Sequence, residues 1–281
     1  MIRTLFFVFF AGMFFFRPAV VPVSAKAGSF SRIAPSPAPA ADSALTIIHV
    51  FVALCDNDSQ GIVPVPKKIG NGNDPANNLY WGCGYGVRTF FNNSDDWELL
   101  ATVKNPQSEI LERCAWKHRR YPCILVADAW KGARIKNCTI RFLQSASWNL
   151  KDTMTVNDHG TSKLLQLGQS KLACYVGHDG LMDFDIASPP QSKDTTQTKD
   201  VMILACASRM YFKDVIHAAH AHPVLWTTNL MAPEAYTLKA AIDGWLQHEP
   251  GDKIRIRAAQ AYNQYQKCGM NGAMNLFATG F

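Results

Sequence analysis

Five short apolar runs set the limits on what this chain can fold into. They cover residues 45–54, 123–127, 171–176, 201–205 and 224–227, and each is rich in Val, Ile, Leu or aromatics with almost no polar alternation. A strand that shows water one face alternates apolar with polar residues, whereas one covered on both faces does not. These runs therefore predict buried strands of a largely parallel sheet. Helical patterns fall between and after them. Residues 134–145 place Ile135, Cys138 and Phe142 on one face, and residues 208–219 do the same with Tyr211, Val215 and Ala218. Pro233 with Glu234 opens a helix toward Leu246, and Asp252 opens a last one toward Cys268. Strands alternating with helices in this way predict an α/β three-layer sandwich with a mostly parallel central sheet. Residues 97–103 and 110–116 read as a hairpin beside that sheet.

The amino terminus belongs to another class. Residues 5–16 are an unbroken apolar run of 12, Arg3 precedes them, and Ala25-Lys26-Ala27 supplies small residues at a cleavage spacing. This is the pattern of a signal peptide over residues 1–27, too short to span a bilayer, with an uncleaved anchor as the alternative. Residues 28–44, with Pro35, Pro37 and Pro39 alternating, read as an extended linker, and residues 45–281 as a single α/β domain ending in helices. The expected destination is the periplasm or the medium, with no integral membrane association.

Charge excludes a further class. The chain holds 28 basic and 22 acidic residues, and residues 1–27 contain three of the basic and none of the acidic ones. The remaining 25 against 22 form no basic stripe interleaved with aromatics, so no nucleic-acid partner is expected. None of the eight cysteines stands at C-x-x-C spacing, which sets aside zinc ribbons and fingers and leaves disulfide pairing open. No Gly-x-Ser-x-Gly, Walker or dinucleotide fingerprint is present.

The chemistry is concentrated at two strand ends. Residues 172–177 run directly into His178-Asp179-Gly180, and residues 201–205 run directly into Cys206. If these strands are parallel neighbours, an imidazole and a thiol leave the sheet at the same edge, where open α/β sheets build their sites. A histidine beside a thiol lowers its pKa, and the thiolate is the reactive form. The amides of Gly180 and Cys206 are the candidates for stabilising an oxyanion.

At these residues the sequence resembles the caspase-like cysteine peptidases, the class of caspases, metacaspases, gingipains and legumains. Their signature is an apolar strand ending in His-Gly followed, one strand later, by an apolar strand ending in Ala-Cys; here it falls on His178 and on Ala205-Cys206. The resemblance implies a caspase-like core over about residues 45–246 and an exported peptidase working through an acyl-enzyme. It also implies a peptide or protein substrate and no cofactor. Two departures stand out: Asp179 intervenes before Gly180, and no clear crossover helix separates the two strands.

Two other readings remain open. In a non-catalytic scaffold module, Cys206 is simply a buried thiol, His178 hydrogen-bonds Asp179 or Asp183, and the loop of residues 56–81 is the contact surface. In a papain-like enzyme, Cys83 is the nucleophile and His159 or His178 its base. Residues 56–61 begin like an EF-hand loop, but Lys67 stands where the bidentate Glu belongs, so an ordinary turn region is the plainer reading. The cluster His217, His220, His222 reads as cations at a helix C-terminus. Finally, Asp56, Asp58, Asp128, Asp179, Asp183 and Asp185 all follow predicted strands. Together they predict an acidic rim that binds substrate and favours Lys or Arg before the cleaved bond. Arg209, three residues past Cys206, argues the other way.

Overall fold

The computed structural model describes residues 44–281; the expected signal peptide (1–27) and all but Ala44 of the expected linker (28–44) lie outside them. The first strand, β1 (Thr46–Ala53), is buried along seven of its eight residues. The helix α1 (Val87–Asn92) leads to an edge hairpin of β2 (Trp97–Gln107) and β3 (Ile110–His118). Next come β4 (Cys123–Trp130), α2 (Ile135–Ala146), and a second hairpin of β5 (Thr153–Asp158) and β6 (Thr161–Gln166). The chain continues through β7 (Leu172–Val176), β8 (Lys199–Leu204), α3 (Ser208–Ala218) and β9 (Ala221–Thr227). It closes with α4 (Ala235–Leu246), α5 (Gly251–Gln266), α6 (Met270–Leu276) and the two-residue β10 (Phe277–Ala278).

The result is an α/β protein built on a mixed eight-stranded sheet in the order β10-β9-β8-β7-β1-β4-β3-β2. The neighbours β4-β1, β1-β7, β7-β8 and β8-β9 run parallel; β2-β3, β3-β4 and β9-β10 run antiparallel. The parallel block occupies the middle, as the apolar runs require. Ile48, Val50 and Val52 point to one face and pack under α1, α4, α5 and α6. Phe51 and Ala53 point to the other, where α2 and α3 cover them. The β5-β6 hairpin covers the rest of that second face, with Met154, Val156 and Leu165 over Ile47, Ile124 and Val126. Among the described residues no helix is long and apolar enough to cross a membrane.

Three features differ from the sequence reading, each for a physical reason. Residues 153–166, which lie outside the predicted elements, form the β5-β6 hairpin, where buried Met154, Val156 and Asp158 alternate with exposed neighbours as in any one-sided strand. Strand β8 begins at Lys199, a residue type that argues against a core strand. Lys199 is nevertheless fully buried, donating to the Gly168 carbonyl at 2.9 Å and lying 4.0 Å from the centre of the Trp148 ring. Asp128 does not follow the second parallel strand but lies within it, opposite Phe51. There it accepts a hydrogen bond from Arg113 Nη2 at 2.8 Å and lies 3.0 Å from His49 Nε2, while Arg113 also reaches Asp152 at 2.7 Å.

Both Arg113 and Asp128 are buried, so this network stands or falls as a unit. Despite burial, which opposes ionisation, the Arg113 guanidinium holds the Asp128 carboxyl down at about 2. Removing the Asp128 charge leaves the buried Arg113 guanidinium with Asp152 as its one remaining acidic partner. Asp128→Asn is expected to cost about 3 kcal/mol at neutral pH by urea denaturation. A folded pKa below the unfolded one gives stability above the unfolded value that disappears as pH falls through the folded value. The wild-type and Asp128→Asn stabilities should therefore converge between about pH 4 and pH 2.

Candidate active site

The carboxyl ends of all five parallel strands share one edge of the sheet, and β7 and β8 deliver the two sequence candidates there. Their register pairs Val176 with Leu204, so His178 and Cys206 each stand two residues beyond a matched pair. Gly177 makes the exit from β7 possible. Its φ of 148° suits glycine, and a side chain there would press on the Ala53 carbonyl at the end of β1. Strand β8 leaves the sheet through Cys206 and Ala207, and α3 starts at Ser208. Ala207 adopts the left-handed conformation at φ 48°, held by its N–H donating to the Asn229 carbonyl at 2.9 Å. For a residue with a Cβ this conformation is strained by about 1–2 kcal/mol, and such strain gathers at functional turns.

His178 is buried, and its Nε2 lies 2.8 Å from Asp183 Oδ2. The same carboxylate oxygen accepts the Gly61 N–H at 2.9 Å, so Asp183 ties the loop after β1 to the histidine. Below it, the Tyr175 hydroxyl donates to the His178 carbonyl at 2.9 Å. The Cys206 sulfur is partly buried and lies 3.4 Å from the Met231 amide and 3.6 Å from the Met231 carbonyl. Burial pushes this thiol up; the Met231 backbone opposes the shift and the Asp179 carboxylate adds to it. No hydrogen bond joins His178 to Cys206: the strands bring them to one edge, and each has its own partner there.

The proposed oxyanion glycine, Gly180, is buried in a short 3-10 turn (Gly180–Met182) capped by Asp179, and the Phe184 ring leaves no room for a side chain on it. The six carboxylates do not form one rim. Asp56 is buried between Gly72 and Gly132 and accepts the Asp58 N–H at 3.0 Å, which makes it a loop staple. Asp128 sits in the ion-pair network inside the sheet's second face. Asp179 is fully buried; Asp58, Asp183 and Asp185 are exposed, and of these Asp183 is engaged with His178. Among the described residues no group of three or more His, Cys, Asp or Glu side chains is placed to hold a metal ion.

The rival nucleophile lies in the connection between β1 and α1. Cys83 donates to the Asn77 carbonyl at 3.0 Å, ahead of the six-residue α1, and its thiol is raised by burial and by Glu234. His159 lies at the β5-β6 turn with Glu98, at the opposite edge of the sheet, so the fold does not join it to Cys83. All eight cysteines carry free thiols. Of the two partners the sequence offered for His178, Asp179 and Asp183, the ring takes Asp183; sequence reasoning missed the Met231 backbone at the sulfur and the Ala207 turn.

No family model matches the chain, and no match is found among the curated proteins or the solved structures.

Because one oxygen of Asp183 serves both His178 and Gly61, its removal should loosen the loop as well as the ring. Asp183→Ala is expected to speed hydrogen exchange at the Gly61 amide by roughly tenfold, the worth of one ordinary hydrogen bond. Asp185→Ala should leave that amide unchanged, and equal exchange in both variants would contradict the clamp.

Proposed function

We propose that this chain is an exported cysteine hydrolase of caspase-like architecture that cleaves peptide bonds, with Cys206 as nucleophile and His178 as general base and acid. The observation that carries the reading is placement. A histidine and a cysteine close adjacent parallel strands at the site-forming edge, in the order the resemblance implies, with a helix beginning two residues past the thiol. In the reaction, the His178 ring takes the thiol proton and the sulfur attacks the substrate carbonyl. The tetrahedral oxyanion forms near the Gly180 and Cys206 amides. It collapses as the imidazolium protonates the leaving amine, and water then hydrolyses the thioester with the same ring as base.

The two nitrogens of His178 divide this work. Nε2 is engaged by Asp183, which orients the ring, and Nδ1 is left to serve the sulfur. The contact between ring and sulfur must then close when substrate binds, since such bonds are often loose until then. Exposed Val63, Tyr85, Met182 and Leu230 lie on connections and Met210 on the first turn of α3, and together they suit an extended peptide. With the carboxylates dispersed, the acidic-rim argument for Lys or Arg before the scissile bond loses its support.

One observation favours a second reading, a non-catalytic binding module: the Cys206 thiol is pushed up rather than activated. Hydrolysis of a peptide library separates the two. Cys206→Ala and His178→Ala should each lower turnover at least a thousandfold with thermal melting unchanged, and Cys83→Ala should retain it. Full turnover in Cys206→Ala would end the assignment, and no turnover in any form of the protein would favour the module.

A further inference from the structure

The residue that interrupts the His-Gly signature has an environment of its own. Asp179 is wholly buried; its Oδ1 accepts the Leu181 N–H at 3.0 Å, and its Oδ2 is buried with no hydrogen-bond partner. An ionised carboxylate with an unsatisfied buried oxygen is costly, whereas the protonated acid is tolerated. No Lys or Arg pairs with Asp179. The titratable groups that face it are Asp183 on the same turn, the Tyr175 hydroxyl on β7 and the Cys206 thiol at the end of β8. The adjacent His178 ring is turned to Asp183 and supplies no compensating contact.

We propose that Asp179 is a positioning residue that gates the Cys206 nucleophile: its neutral acid form permits the thiolate, and its carboxylate form suppresses it. This rests on the reading of Cys206 as nucleophile. A buried carboxylate and a partly buried thiolate on neighbouring strand ends, with no Lys or Arg between them, cannot both carry negative charge cheaply. Burial and the Asp183 charge raise the Asp179 carboxyl to about 7, so the gate works near neutrality and favours a mildly acidic milieu.

Coupled titration has a kinetic signature. An isolated thiol alkylates with a log rate that rises at unit slope with pH until its own pKa. A thiol coupled to an acid rises at unit slope while the acid is neutral, flattens as the acid ionises, and rises again. The experiment is iodoacetamide alkylation of the full-length protein from about pH 5 to pH 9, read at the Cys206 peptide by mass spectrometry. The wild-type curve should flatten near pH 7, and the flattening should persist in His178→Ala, which excludes the imidazole as its source. Asp179→Asn should give a single unit slope and alkylate about tenfold faster at pH 8, the effect of one pK unit. Asp179→Glu, which keeps the charge, should keep the flattening.

A wild-type curve of single slope, or an Asp179→Asn curve that matches the wild type, would overturn the gate. If Asp179→Asn does not fold, the wild-type and His178→Ala curves decide alone. A Cys206 that alkylates no faster than the fully buried Cys174 would overturn the nucleophile reading and the gate together. A selectively reactive Cys206 with a single slope would overturn the gate only.

Discussion

The structure depends on the burial of β1 from both faces. Strand β1 pairs in parallel with β4 on one side and β7 on the other, and its alternate side chains anchor two separate layers of helices. A strand so enclosed has no polar face, which is why its sequence does not alternate. Each parallel neighbour must reach its place by a crossover, so the carboxyl ends of β1, β4, β7, β8 and β9 gather at one edge. The pairing of His178 with Cys206 at that edge follows from the topology and needs no contact between the two residues.

The same burial has opposite effects on two aspartates. Asp128 meets the Arg113 guanidinium and stays ionised with its carboxyl at about 2, whereas Asp179 meets no cation and is raised to about 7. Desolvation opposes charge at both sites; the partner decides the outcome. At Asp128 the result is a structural lock between the sheet and Asp152. At Asp179 it is an acid beside a thiol that is itself raised, the arrangement on which the proposed gate rests. Asp183 adds a mechanical link, since one of its oxygens holds both the His178 ring and the loop after β1.

What was legible in the sequence is what repeats. The five apolar runs appear as β1, β4, β7, β8 and β9, because strands covered on both faces are apolar throughout, and the four helical patterns appear as α2, α3, α4 and α5, because one-sided burial leaves a periodic trace. The less regular residues 97–103 and 110–116, read as a hairpin, appear as β2 and β3. What was not legible depends on single contacts between residues distant in sequence. Lys199 enters β8 only because Trp148 and the Gly168 carbonyl receive it. Asp128 is internal only because Arg113 is there to pair with it. The acidic rim failed as a pattern because an aspartate near a strand end serves a turn, an ion pair or a clamp according to its neighbours. The positive φ of Ala207 has no sequence signal, since glycine is the residue such a turn normally selects.

The central claim is that His178 and Cys206 form one catalytic unit although each has another partner here. A crystal structure of the protein with a peptide aldehyde bound tests it most directly. The account requires a covalent bond from Cys206 Sγ to the aldehyde carbon, with the sulfur released from the Met231 backbone. It also requires the His178 ring within about 3.5 Å of that adduct while Asp183 still holds Nε2. An adduct on Cys83 or Cys268, or one on Cys206 with His178 remote from it, would contradict the account.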